Sequence, residues 1–211
     1  EQIRMVFADI RVDAVKIGMI ANAGIASAVT EALKPHRGIP VVLDPVMIAK
    51  GGASLLDPDA IEALKSELLP LATLLTPNLP EAAALLGDPE ACDRRMMESQ
   101  AVRLMALGPK AVLVKGGHLG GGESPDVLVS EGQVSWFEAG RIETRNTHGT
   151  GCSLSSALAA ELAKGHDPQQ AVSVAKAWLA QAVRSSAQLT VGSGHGPIHH
   201  FHALWPASAP A

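Results

Sequence analysis

The sequence predicts an α/β fold: a mainly parallel central sheet with helices on both faces. Three observations point to it. Short β-rich runs alternate with helical ones along most of the chain. The β runs are apolar throughout rather than at every second position, so both of their faces are buried. Residues suited to chemistry collect where those runs end, the side on which such sheets bind ligands.

Taken in order, Asp13–Ile20 reads as a strand and residues 23–36 as a helix with alanine and leucine at helical spacing. Ile39 to Pro45 is a second buried strand, ended by Pro45. Asp57-Pro58 is a helix start, with the acid at the cap and proline in the first turn, and that helix runs to about Leu69. Ala72 to Leu75 is a third strand, followed by Thr76-Pro77-Asn78 and a short helix from Glu81 to Leu86. Ser99 to Leu107 is helical, Gly108 stops it, and Ala111 to Lys115 is a fourth strand ending in Gly116-Gly117. Asp126 to Ser130 and Gln133 to Phe137 form an antiparallel pair turned by Glu131-Gly132. A glycine-rich loop with its helix follows, then a long helix from Asp167-Pro168 to about Ala187. Residues 1–205 read as one domain, and the Pro/Ala tail, residues 206–211, as flexible.

Bulk properties exclude several function classes. The 211 residues suffice for one sizeable core. A net charge of −4 gives no general reason to expect nucleic acid or an anionic membrane as partner. An aromatic content of 3% with no tyrosine argues against a base-stacking surface. No apolar run reaches the roughly 18 residues needed to span a bilayer. Cys92 and Cys152 sit in unlike contexts, which fits two free thiols in a reducing cytoplasm better than a disulfide. A homodimer is compatible with the chain but not read from it. Ile3 to Ile20 already resemble a domain interior, so a first strand and its loop are expected to lie before Glu1.

The chemistry concentrates in Arg145-Asn-Thr-His-Gly-Thr-Gly-Cys152, which opens a helix continuing through Ala157 to Ala163. A glycine-rich loop at a helix start turns unpaired N–H groups and the positive end of the helix dipole toward an anion, most often a phosphate. Gly149 and Gly151 bracket Thr150 and let that anion approach the backbone. The same position holds the Cys152 thiol in a setting that favours thiolate. The strand ends supply the rest of what phosphoryl transfer needs. Asp44 and Glu81 suit Mg²⁺, which takes few carboxylates and several waters. Asn78 lies one helical turn before Glu81, a spacing that equally suits a helix cap with its reciprocal glutamate. Lys115 closes a buried strand ahead of Gly116-Gly117, where a cation suits phosphates. His195, His199, His200 and His202 have no accompanying cysteine or acid, and read as structural or phosphate-side hydrogen bonders rather than a metal site.

Six segments together resemble the hydroxymethylpyrimidine/phosphomethylpyrimidine kinases of the ribokinase superfamily. They are Val15-Lys-Ile-Gly-Met19, Leu43-Asp-Pro-Val-Met47, Thr76-Pro-Asn-Leu-Pro-Glu81, Val114-Lys-Gly-Gly-His118, Asn146-Thr-His-Gly-Thr-Gly-Cys152 and Gly194-His-Gly-Pro197. The resemblance spans nearly the whole chain in matching order. It implies a ribokinase-like three-layer fold and ATP- and Mg²⁺-dependent phosphorylation of 4-amino-5-hydroxymethyl-2-methylpyrimidine, then of its monophosphate, for thiamine biosynthesis. By that similarity Gly149, Thr150, Gly151 and Cys152 form the anion hole, with Cys152 as base. Lys115, Asn78 and Gly117 would meet ATP, Asp44 and Glu81 would organise Mg²⁺, and Gly18, Met19 and Val46 would line the pyrimidine pocket. Sugar-kinase members mostly carry aspartate where Cys152 stands, so the cysteine favours the vitamin-kinase branch. The family's leading Gly-Ser-Asp-Ser-x-Gly-Gly-like segment and a pyrimidine-binding glutamine are not among these residues. A pyridoxal-type kinase of the same superfamily and a non-catalytic nucleotide-binding fragment are the alternative readings.

Overall fold

The computed structural model describes residues 1–47 and 56–205. The expected flexible tail, 206–211, lies outside the described residues. Among the described residues six strands form one sheet in chain order: β1 (Val15–Ile17), β2 (Val41–Leu43), β3 (Leu74–Leu75), β4 (Ala111–Lys115), β5 (Asp126–Ser130) and β6 (Gln133–Phe137). The first four run parallel, and β5 and β6 extend the sheet antiparallel. The helices are α1 (Gln2–Asp9), α2 (Ala23–Leu33), α3 (Pro58–Ala63), α4 (Leu79–Leu86), α5 (Arg94–Met105), α6 (Thr150–Ala163) and α7 (Pro168–Arg184).

Strict alternation along the strands divides the core in two. Leu43, Leu75, Val112 and Val114 face a layer built from α2, α3, α4 and α5. Their neighbours Val42, Leu74, Ala111 and Leu113 face α6 and α7. Because parallel crossovers keep one hand, successive strands added in one direction place all their connecting helices on the same face. The opposite face is left to the helices that follow the hairpin. Each fully buried leucine, Leu43, Leu75 and Leu113 among them, contributes about 1.5–3 kcal/mol, and these anchors hold the strand ends where the polar residues begin.

Local chemistry explains most boundaries. Asn22, Asp93 and Asp167 cap α2, α5 and α7 through their side chains. Asp57 occupies the cap position of α3 with Pro58 behind it, but makes no capping hydrogen bond, contrary to expectation. That helix continues past Ala63 as a π turn, Leu64–Leu68, and a 3-10 turn, Leu69–Leu71, instead of one regular helix. Glu131 (φ 51°) and Gly132 (φ 76°) both turn left-handed, the type I′ geometry that matches strand twist in a two-residue hairpin.

Two elements differ further from expectation. Residues 2–9 form a helix, α1, although the sequence reading assigned none; its Phe7 stacks on His36 with ring centroids 3.8 Å apart. Helix α5 begins at Arg94 rather than Ser99, because Asp93 accepts a hydrogen bond from the Met96 N–H at 2.7 Å and starts the helix five residues earlier. No helix among the described residues is long and apolar enough to cross a membrane.

Candidate active site

The parallel strands deliver their last residues to one edge. Immediately after β2, Asp44 is 2% exposed, its backbone N–H bonded to the Ile17 carbonyl at 2.9 Å. That bond sets Gly18 and Met19, just past β1, alongside the segment Asp44–Val46. Met19 is exposed and Val46 half-buried. Lys115, at the end of β4, extends its Nζ to Asp44 Oδ1 at 2.9 Å. Thr76, just after β3, donates to the same oxygen at 3.3 Å, and Ser155 of α6 reaches Asp44 Oδ2 at 3.3 Å. One buried carboxylate is thus held from three elements, with Lys115 the one cation against it among the described residues.

Glu81 is 3% exposed in the first turn of α4. Asn78 and Glu81 make the reciprocal cap that their spacing allows. Asn78 Oδ1 accepts from the Glu81 N–H and Glu81 Oε2 from the Asn78 N–H, both at 2.8 Å. Burial pushes the Glu81 carboxyl above its usual value of 4.5, and the Asp44 charge adds to that; Lys115 and the backbone N–H groups of Asn78 and Met47 oppose it. A carboxyl raised on folding stabilises fully below its unfolded value and loses that contribution as pH rises through the folded one. The wild-type melting midpoint should therefore carry a component that declines as pH climbs above about 4.5. Glu81→Gln keeps the cap acceptor and should remove it, so the gap between the two melting curves should change with pH. A constant gap from acid to neutral pH would contradict this account.

The glycine loop closes over this pair. Gly149 is the N-cap of α6 at φ 80°, a left-handed conformation, and no side chain among the described residues caps the helix. The N–H groups of Gly151 and Cys152 have no acceptor among the described residues. A Cβ on Gly151 would lie 3.6 Å from Lys115 Nζ and 4.0 Å from Asp44 Oδ2, so glycine leaves space between the helix terminus and the ion pair. Thr150 is tied back, its hydroxyl donating to the Thr147 carbonyl at 3.2 Å. Cys152 is exposed on the first turn with its thiol free. Buried carboxylates, one lysine and uncapped amides form a donor set that fits a polyphosphate carrying a divalent cation.

Gly117 follows Lys115 on a segment fixed by groups the sequence reading missed. Asp126, paired with Lys115 across the β4–β5 register, accepts from the Gly116 N–H at 2.9 Å and from Lys176 Nζ at 2.6 Å. Arg141 donates to the carbonyls of Gly117, Leu119 and Gly121. Thr76 and Ser155 were missed as well, although Ser155 stands one turn after Gly151, a spacing that puts both on one helix face.

The C-terminal histidines brace the loop from behind. His195 Nδ1 lies 3.2 Å from the Arg145 carbonyl, His200 Nε2 lies 2.8 Å from Ser153 Oγ, and the His148 N–H donates to the Gly196 carbonyl. His199 is buried, its N–H bonded to the Ala182 carbonyl. No group of three or more His, Cys, Asp or Glu among the described residues is placed to hold a metal alone.

Comparison with known proteins gives consistent results. The family model described as phosphomethylpyrimidine kinase matches residues 1–199. The chain is 50% identical over 204 residues to the hydroxymethylpyrimidine/phosphomethylpyrimidine kinase of Salmonella typhimurium, covering 97% of this chain and 77% of that one. Its fold is similar to that of Bacillus subtilis pyridoxal kinase in an ADP complex, with a TM-score of 0.88 and 35% identity over 96% of this chain and 75% of the other. It is also similar to Clostridium difficile phosphomethylpyrimidine kinase, with a TM-score of 0.75 and 39% identity over 86% and 74% of the two chains.

Proposed function

The chain belongs to the phosphomethylpyrimidine kinase family, and we propose that it transfers phosphate from ATP to the hydroxymethyl group of 4-amino-5-hydroxymethyl-2-methylpyrimidine, then to the resulting monophosphate. The single observation that carries this reading is the Lys115–Asp44 pair lying directly beneath Gly151 at an uncapped helix terminus that also bears Cys152.

In the first transfer the alcohol oxygen bonds to the terminal phosphorus, the bond from that phosphorus to the ADP oxygen breaks, and the alcohol proton passes to the Cys152 sulfur. In the 149–152 loop the N–H groups of Gly151 and Cys152 steady the charge on the migrating group, while that of Thr150 is bonded to the Thr147 carbonyl; dipoles fixed in advance need no reorganisation during the reaction. Lys115 leaves Asp44 for a phosphate oxygen. Directly or through water, Asp44 and Glu81 would hold Mg²⁺, which would supply charge neutralisation to the polyphosphate. Asn78 and Gly117 line the nucleotide side, while Gly18, Met19 and Val46 flank the pyrimidine. Two free thiols, Cys92 and Cys152, suit a reducing cytoplasm.

The fold similarity to a pyridoxal kinase makes pyridoxal the substrate to test against. With ATP and Mg²⁺ present, the hydroxymethylpyrimidine should show the higher kcat/KM of the two. Equal or better turnover of pyridoxal would overturn the substrate assignment while leaving the phosphoryl-transfer machinery in place.

A further inference from the structure

We infer that Ser155 is a positioning residue: its hydroxyl fixes the Asp44 carboxylate, so that Asp44 stays oriented toward the metal-bearing nucleotide when Lys115 moves to a phosphate. This rests on the function proposed above. Ser155 is fully buried on α6, one turn beyond Gly151. Its Oγ lies 3.3 Å from Asp44 Oδ2, 3.1 Å from the Gly151 carbonyl and 3.1 Å from the Cys152 carbonyl.

A hydroxyl has one proton to donate, so these three acceptors compete. Both carbonyls lie within α6, where backbone N–H groups serve them. The carboxylate is charged, and a charge-assisted bond is roughly twice as strong as a neutral one. The Asp44 contact is the longest of the three, yet it is the one to a charged oxygen that no backbone N–H among the described residues serves, and this directs the proton to Asp44. The two carboxylate oxygens are not served alike. Oδ1 takes both Lys115 and Thr76, whereas Ser155 is the sole donor to Oδ2 among the described residues. Oδ2 is also the oxygen nearer Gly151. With Lys115 gone, Thr76 and Ser155 still pin one oxygen each, and the carboxylate cannot swing. Ser155 thereby links the helix bearing the glycine loop to the acid that faces the metal.

Two variants separate this role from simple helix packing. In Ser155→Ala, kcat should fall about tenfold, the worth of a hydrogen bond to a charged group, and half-saturation by Mg²⁺ should require severalfold more metal. Independently of turnover, the gain in melting midpoint from Mg²⁺ plus ADP over ADP with chelator should largely disappear. Thr76→Val should lose part of that gain too, because with Lys115 on a phosphate Thr76 is the remaining donor to Oδ1; a loss shared by two variants on different elements reports the carboxylate and not the packing of α6. A Ser155→Ala protein with a wild-type metal-dependent gain and kcat within twofold of wild type would overturn the inference and leave Ser155 as a helix back-bonder. If wild type showed the gain, Ser155→Ala lost it, and neither phosphorylated the pyrimidine, the positioning role would stand and the substrate assignment would fall.

Discussion

Cys152→Ala is expected to lower kcat by about 10²–10⁴-fold, the usual worth of a positioned proton acceptor, while leaving the melting shift produced by Mg²⁺ and ADP unchanged. The other acids at this edge are engaged. Asp44 is held by Lys115, Thr76 and Ser155, and Glu81 is buried and committed to the cap of α4. The Cys152 thiol is exposed on the first turn of α6 with no hydrogen-bond partner among the described residues. Alanine removes that sulfur and keeps every backbone N–H of the cradle, so nucleotide affinity and turnover should separate. Cys152→Asp puts a carboxylate at the same place and should turn over faster than the alanine variant. Single-turnover rates decide the matter: an alanine variant within threefold of wild type would take Cys152 out of proton transfer and leave catalysis to positioning and charge.

The groups that produce this chemistry were legible to unequal degrees. Asp44 and Lys115 stood out because each closes an apolar run just before a proline or glycine, where a strand must end and a side chain must face the ligand edge. The reciprocal cap of Asn78 and Glu81 was legible because capping is local: four residues contain the whole device. The ion pair between Asp44 and Lys115 joins residues 71 apart in sequence, and only strand order brings them together. Asp126 was hidden for a related reason. Its place opposite Lys115 follows from the register of an antiparallel pair, which the hairpin residues do not state. Helix α1 offered a usable signal, Ile3, Val6, Phe7 and Ile10 at helical spacing, yet it buries no residue fully, so it lacks the strong apolar stripe of α2 or α4. In α5 the polar opening Arg94-Arg95 masked a start that Asp93 already announced.

Lys115→Met should separate what the ion pair does for the fold from what it does for the reaction. The Lys115 side chain is 15% exposed and that of Asp44 2% exposed, so removing the cation strands a carboxylate with little water. Breaking a buried pair from one side costs about 3–5 kcal/mol, because the remaining charge is left uncompensated. Glu81 suffers as well, since Lys115 opposes the burial that raises its carboxyl. Without the lysine that carboxyl should rise further. The decline in stability with increasing pH above about 4.5 should then become steeper than in wild type. Adding Asp44→Asn to Lys115→Met takes away the stranded charge and should return most of the lost stability, the non-additivity expected of contacting partners. It should not return activity, which is expected to fall roughly 10²–10³-fold or more with loss of charge stabilisation at the phosphates. Urea denaturation of the two single variants and the double variant, beside their kcat/KM values, closes the cycle. If Lys115→Met unfolds within about 1 kcal/mol of wild type, less than a broken buried pair should cost, the pair does not hold the strand ends together. A double variant that recovers both stability and turnover would instead show that neither charge touches the nucleotide.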